Sequence, residues 1–502
     1  MKKITFTALF VFFGLISCNK DFLTVVPETN LSTAIFFSKE ADFQQAVNAN
    51  YVPLRSIVND RAWLLSEMHS DNAYYYRNIL FGATEQQEDL ADFAVPTANG
   101  VTSNTHVLNQ YRLDYQIIAR ANQILASIDA VEFPAASKNN LKGQAQFLRA
   151  YAYFELVQYF GKVPLHLTPV TNRQEAALPL ATVEEVYAQI IKDATAASTG
   201  LLPKSTQEAG RATSGTAKML LANVYMVQKK WADAEKLLKE IVASNDYKLM
   251  PDFNDAFSTN TGNKNNAESI FEVQFQEGAS GYNGAIMYNY LPRPMSPEEL
   301  KPISGTSNPQ PLTGEGNGAP TPDLIASYEK GDKRLDGTIA YVTISGSLRA
   351  NKNFPYNKKF AKAHSLHGNT GNNFPIYRYA ETLLFLAEAL TEQGKMSEAL
   401  PILNQVRSRA GLTASTATSQ AAVRTQIYQD RRSELAFENK RWFDLVRTGT
   451  AVEVITAYGN RLKANPVAYY YPEGAVARSN AFTNISLLYG LPADESALSP
   501  YF

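Results

Sequence analysis

The stretch FLRAYAYFELVQYFGKVPL, Phe147 to Leu165, decides what kind of molecule this chain forms. Counting from Phe147, apolar or aromatic residues return at Tyr151, Phe154 and Val157, and a second series runs through Leu148, Ala152, Leu156 and Tyr159. Returns every three to four residues mark a helix, and two adjacent series make it apolar over most of its circumference. Such a helix has to be enclosed by others. Gly161 suits a helix C-terminal cap, and Pro164 keeps helix from resuming at once. The segment reads as a long internal helix with a sharp exit.

Outward from this helix the chain keeps the same texture. Tyr111, Tyr115, Ile118, Ala121 and Ile128 predict an amphipathic helix over Asn109 to Val131, ended by Phe133-Pro134. Phe43, Val47, Tyr51 and Leu54 form one stripe behind Ser38, and Thr182 with Glu185 has the form of a capping box. Leu221-Ala222, Tyr225, Ala234, Leu238 and Ile241 match the tetratricopeptide pattern. That pattern returns at identical offsets as Leu386-Ala387, Leu390, Ala399, Leu403 and Val406. The small residues permit two antiparallel helices to approach closely. Because the two units lie far apart in sequence, folding has to reunite them.

Between them, Asn245 to Gly371 changes composition to Gly, Asn, Pro and Ser clusters, with SIFEVQFQ and TIAYVTIS as short alternating, isolated strands. The expected fold is mainly α: a tetratricopeptide-like helical-repeat scaffold with an irregular loop-rich insertion containing a few short strands. Its expected parts are a helical region over 18–244, the insertion over 245–371 and a second helical region over 372–502.

At the N-terminus, Lys2 and Lys3 precede an apolar run from Ile4 to Ile16. The run is short of the roughly 20 residues that cross a bilayer, so 1–17 reads as an export signal. Leu15-Ile16-Ser17-Cys18 fits the lipobox of bacterial lipoproteins, which makes Cys18 the expected lipid attachment site. Cys18 is the only cysteine, so no intramolecular disulfide forms. Without residues 1–17 the formal charge is 45 − 48 = −3, which argues against a nucleic-acid partner. The five histidines include no HExxH, and no GxSxG, Walker loop or GxGxxG following a strand is present. No catalytic site, metal site or cofactor is therefore expected. DRRSELAFENKRWFDLVRTG, Asp430 to Gly449, reads as one helix with Leu435, Phe437, Trp442, Phe443, Leu445 and Val446 inward. Its alternating charges, among them Arg432, Glu434, Glu438, Arg441 and Asp444, then pair on a solvated face.

The order RAYAYF, YFG and VPL, the lipobox, and the later blocks FPIYRYAETLLFLAEAL, LNQVRSRAGL and SELAFENKRWFDLVRTG together resemble the SusD/RagB family of lipid-anchored binding proteins. The resemblance implies a lipoprotein of the outer membrane, exposed at the cell surface and held there only by its lipid. It would capture an oligosaccharide or polysaccharide and deliver it to a SusC-like TonB-dependent transporter. A peptide-binding protein of the same transporter type, or a tetratricopeptide-type interaction scaffold without a small ligand, are the alternatives. The tail LLYGLPADESALSP departs from the family's usual Pro-Ile-Pro ending and leaves the docking of the C-terminus open.

A glycan binder needs flat rings to stack on sugar faces, with amides and charges beside them. Two stretches in the places where the family contacts ligand offer that mixture. One supplies Asp71, Asn72, Tyr74, Tyr75, Tyr76 and Arg77, and the other supplies Tyr282, Asn283, Tyr288 and Tyr290. Three consecutive tyrosines cannot all enter one core, so at least one of Tyr74 to Tyr76 is expected to face solvent.

Overall fold

Within the Phe147–Leu165 stretch, Phe147 to Phe160 form the C-terminal half of a 26-residue helix, Ala135–Phe160, in which Phe147 to Val157 are all buried. Gly161 ends it at φ +71, donating its N–H to the Val157 carbonyl at 3.0 Å. The computed structural model describes residues 36–76, 85–259, 264–313, 316–347 and 352–502. Among these, ten helices are thirteen residues or longer. They are α1 (Glu40–Ser56), α2 (Thr105–Ser127), α3 (Ala135–Phe160), α4 (Val183–Gly200), α5 (Ser214–Val227), α6 (Trp231–Ala243), α7 (Tyr379–Glu392), α8 (Met396–Arg409), α9 (Gln420–Leu435) and α10 (Ala451–Ala464). No helix of the described residues is long and apolar enough to cross a membrane.

From α2 to α8 each helix packs on the next, and α9 adds to the array against α7. Two devices hold its first half. The Arg149 guanidinium on α3 makes a two-pronged ion pair with Asp193 on α4, both bonds at 2.8 Å, and donates a third bond to Asn122 on α2 at 2.8 Å. Thr182 and Glu185 form the expected capping box at the start of α4, with bonds of 2.8 and 3.2 Å.

The two repeat units are α5 with α6 and α7 with α8. Ala222, Ala234, Ala387 and Ala399 are fully buried, as helices in close approach require. The units, separated by residues 244–378, meet through α6 and α7. At that seam Glu235 of α6 accepts from Lys395 and from Gln393, each at 2.7 Å.

The region between α6 and α7 is built of ribbons and short helices. Strand β1 (Ala73–Tyr76) pairs antiparallel with β3 (Gly316–Pro320), β2 (Ser269–Val273) with β6 (Phe374–Arg378), and β4 (Ile339–Thr343) with β5 (Asn353–Asn357). The two strands expected from SIFEVQFQ and TIAYVTIS are β2 and β4. They are not isolated: β2 pairs with β6, too far along the chain for a local reading, while β4 pairs with the next strand, β5, as a hairpin. Around the ribbons a second core gathers Tyr76, Met287, Leu291, Met295, Leu300 and Phe354.

The last third corrects two expectations. Asp430 to Gly449 is not one helix: α9 stops at Leu435, Phe437 and Asn439 take left-handed backbone at φ +66 and +60, and a new helix runs over Arg441–Thr448. Nor is its charged face solvated. Glu434 and Glu438 are buried beneath the ribbons, where Arg378 at the end of β6 reaches Glu434 at 2.6 Å, Glu438 at 2.7 Å and Glu268 at 2.6 Å. Arg334 adds Asp332 at 2.7 Å and Asp430 at 2.8 Å, and Lys359 adds Glu438 at 2.8 Å. The sequence shows only that these charges alternate. What buries them is the insertion folding back over α9. The C-terminal segment docks as well, with Leu491 and Pro492 pairing in parallel with Val101 and Thr102.

Candidate functional site

The N-terminal candidate stretch follows a helical extension of α1 and enters β1. There the expected solvent-facing ring is absent: Tyr74, Tyr75 and Tyr76 are 0, 1 and 0% exposed. The reason is that β1 runs between two cores, the main one taking Tyr74 and Tyr75 and the second Tyr76, with an extra residue of β3 bulging opposite them. Tyr74 and Tyr75 consequently stack on each other, centroids 4.3 Å apart, and both phenols donate to Asp92. Tyr76 enters the second core, donating to the Pro355 carbonyl and meeting Phe354 edge-on at 5.3 Å. The strand lies between two cores, and each takes what the other leaves.

Asp71 and Asn72 are also turned inward. Asp71 accepts from Arg441 at 2.7 and 3.0 Å and pairs with Arg432 at 2.9 Å. Burial would push its carboxyl up, but the Arg432 and Arg441 guanidiniums outweigh that and hold it below the usual carboxylate range. Asn72 donates to Glu67 at 3.3 Å and accepts from Arg432 at 2.9 Å. Arg77 and Cys18 lie outside the described residues.

In the second stretch the four candidates part company. Tyr288 is buried, its phenol 2.7 Å from Nε2 of His364. Tyr290 is fully buried between Trp63 and Phe437, edge-on to each. Asn283 donates to the Gly368 carbonyl at 3.4 Å. Tyr282 alone displays its ring, 49% exposed, with the Arg55 guanidinium 4.7 Å from its centroid. The turn that carries it is pinned. The Tyr282 carbonyl accepts from Gln276 N–H at 2.8 Å, and Asn369 bridges to Gly278 through bonds of 2.9 and 3.0 Å.

A further exposed ring was not among the candidates. Tyr341, 53% exposed, stands on the outer face of β4, whose burial alternates in period two. Beneath it lies half-buried Tyr470, whose ring is 4.8 Å from that of buried Tyr76 and whose phenol donates to the Pro320 carbonyl. Burial pushes the Tyr470 phenol up, and Tyr341 and Tyr469 push it further. Tyr470 thus rests on the second core, and Tyr341 is held in place by the backbone pairing of β4 with β5. The alternation of TIAYVTIS already put Tyr341 on the polar face of its strand; that was the available signal.

The surface offers rings backed by fixed backbone, with a guanidinium at one of them. Such a surface can stack on and hydrogen-bond to a ligand.

Comparison with known proteins bears on what that ligand is. Residues 330–500 match the family model described as the SusD family, and residues 21–226 match one described as "starch-binding associating with outer membrane". SusD-like protein P2 of Formosa agariphila is 27% identical over 497 residues, covering 91% of this chain and 93% of that protein. A SusD-like protein of Bacteroides ovatus is 24% identical, over 86% of this chain and 79% of its own length. Among solved structures, a laminarin-binding SusD-like protein is 25% identical and superposes with a TM-score of 0.73, over 92% of this chain and 98% of that one. A SusD-like carbohydrate-binding protein from Bacteroides fragilis gives a TM-score of 0.75 at 22% identity, over 93 and 99% of the two chains. The stretch between the two family matches, 227–329, contains Tyr282 and much of the insertion.

Proposed function

Because the chain belongs to the SusD/RagB family, we infer that it is a non-catalytic glycan-binding protein of the outer membrane, lipid-anchored through Cys18 at the cell surface. It captures oligosaccharide or polysaccharide and passes it to a SusC-like TonB-dependent transporter. The observation that carries this reading is the display of Tyr341 and Tyr282 on braced ribbons and turns, in a region where the other candidate rings are buried. An exposed aromatic ring on a rigid base is costly to leave in water and suited to stacking on a sugar face. The laminarin-binding relative and the starch-binding family description support the ligand class.

Tyr341→Ala and Tyr282→Ala, each titrated against a glycan and peptide array, test the proposal. Loss of an exposed stacking contact is expected to weaken glycan binding by about 1 kcal/mol, roughly fivefold, with the melting temperature unchanged. Binding to peptides alone would replace the ligand class. Wild-type glycan affinity in both variants would move the site elsewhere. Mild-detergent extraction from the native membrane is expected to bring a large β-barrel partner with the wild type, and Cys18→Ala is expected in the soluble fraction.

A further inference from the structure

Away from the exposed tyrosines, the segment after β1 and the C-terminal segment enclose a cleft of about 440 Å³. That volume falls within the roughly 300–1,000 Å³ typical of small-ligand pockets. At its floor is His69, 96% buried, stacked on Phe93 at 4.0 Å and flanked by Trp442 and Tyr489 at 4.6 and 5.0 Å. Its Nδ1 lies 2.6 Å from the Leu90 carbonyl. A carbonyl only accepts, so Nδ1 carries the proton and Nε2 presents a lone pair. No donor among the described residues reaches Nε2, although the ring lines the cleft. An acceptor that opens onto the cleft without a protein donor can take one from a bound ligand.

The rim matches the floor in kind. Asn480, Thr483, Asn484, Ser486 and Thr97 supply amides and hydroxyls, Leu488 supplies an exposed apolar wall, and among the described residues none that lines the cleft carries a formal charge. Burial lowers the His69 pKa to about 4, so the floor too is neutral at physiological pH. The cleft between α2 and the C-terminus, by contrast, carries Arg112, Arg173 and Glu495. An ionic ligand would leave its charge uncompensated in the His69 cleft, whereas an uncharged polyol meets only donors and acceptors there. Both walls are fixed before any ligand arrives. Arg478 ties the C-terminal segment to Asp89 and Asp92 at 2.8 Å each, the Phe482 N–H donates to the Asp92 carbonyl at 2.7 Å, and the Tyr489 N–H donates to the Tyr159 carbonyl at 2.9 Å. Little ordering entropy remains to oppose binding.

We propose that this cleft is a second binding site, for one pyranose unit of an uncharged glycan, with a sugar hydroxyl donating to Nε2 of His69. The glycan class rests on the function inferred above; the neutrality and the unmet acceptor do not.

The five histidines give a small set of imidazole signals by nuclear magnetic resonance, and His69→Phe identifies the one that belongs to His69. The full chain is titrated with neutral oligosaccharides of glucose (laminarihexaose, maltohexaose), mannose and galactose, and with oligogalacturonate as the charged counterpart. A neutral oligosaccharide is expected to shift the His69 Nε2 resonance, and to do so equally in Tyr341→Ala and Tyr282→Ala. Asn484→Ala, at an exposed rim position that leaves the fold intact, is expected to weaken that response about fivefold, one hydrogen bond's worth. If no neutral oligosaccharide moves the His69 signal while glycan binding at the exposed tyrosines persists, the second site is refuted and the function stands. If the tyrosine variants abolish the His69 response, there is one site and not two. A response to oligogalacturonate alone overturns the neutral class, and no binding of any glycan removes both readings.

Discussion

The helical array and the junction beneath the insertion both bury carboxylates, and they treat them in opposite ways. On α2 and α3, Asp114 and Glu155 are buried near each other, with Gln110 donating to Asp114 at 3.0 Å and the Lys440 ammonium only partly offsetting the burial of Glu155. Burial is the first cause that raises both, Glu155 to about 7, and for Asp114 the Glu155 charge adds to it. At the junction, burial also pushes Glu434 and Glu438 up, but the Arg409, Arg378 and Arg334 guanidiniums around Glu434, and Arg378 and Lys359 around Glu438, win and hold both acids below the usual range. Within the array Asp114 and Glu155 are tolerated with raised carboxyls, although the Arg149–Asp193 pair there is ionic; the junction is held by charge and requires its acids ionised.

The sharpest way to break that contrast is Glu434→Gln. It keeps the volume but leaves Arg378, Arg334 and Arg409 with too few anions, and breaking a buried ionic network this way is expected to cost about 3–5 kcal/mol in urea unfolding at pH 7. A loss below about 1 kcal/mol would mean that the junction does not depend on its charges. The corresponding insult to the array is steric. Ala234→Leu forces a larger side chain into a fully buried helix contact and is expected to cost about 1–3 kcal/mol, read from the same unfolding curves.

Titration sharpens the comparison. A raised carboxyl keeps its proton in the folded state after the unfolded chain has lost it, so its contribution is fully present below the unfolded pKa of about 4.3 and is lost as pH rises through about 7. The lowered acids of the junction do the reverse: their contribution is present above the unfolded pKa and is lost as pH falls. Glu155→Gln is expected to flatten the decline in stability between pH 5 and 7 by on the order of 1 kcal/mol while leaving the acid limb in place. Glu67, raised by burial to about 7, keeps part of that decline. A variant whose profile between pH 5 and 7 matches the wild type would show Glu155 to be ionised in the fold. The smallest effect belongs to the surface. Glu398 of α8 pairs with Lys239 of α6 at 3.0 Å, both side chains about half exposed, and Glu398→Gln, which leaves the Lys239–Glu235 bond in place, is expected to change stability by less than about 0.5 kcal/mol.

The same contrast explains what could be read from the sequence. The array announces itself locally: a 3.6-residue period, Ala at fixed offsets, Gly161 after the last turn and Thr182 three residues before Glu185 all lie within a few residues of what they determine. The junction does not. Glu434 meets Arg334 and Arg378 because the intervening chain folds back, and nothing in SELAFENKRWF says whether its acids look outward or inward. The ligand surface fails in the same way. Tyr74 to Tyr76 looked exposed because a single core cannot take three neighbouring rings, yet β1 has a core on either side and an irregular register between them. Tyr282 was chosen on composition and does stand in solvent. Tyr341 is legible from strand alternation alone, a weaker signal than a dense cluster of tyrosines.

The chain order of the array also sets a timetable. The face of α6 that finally rests on α7 is made long before its partner, since residues 244–378 are synthesised in between. At about 5–20 residues per second, that interval is roughly 7–27 s. Throughout it, the face of α6 that meets α7 is without its partner, so the array is joined at its middle only once α7 has been made.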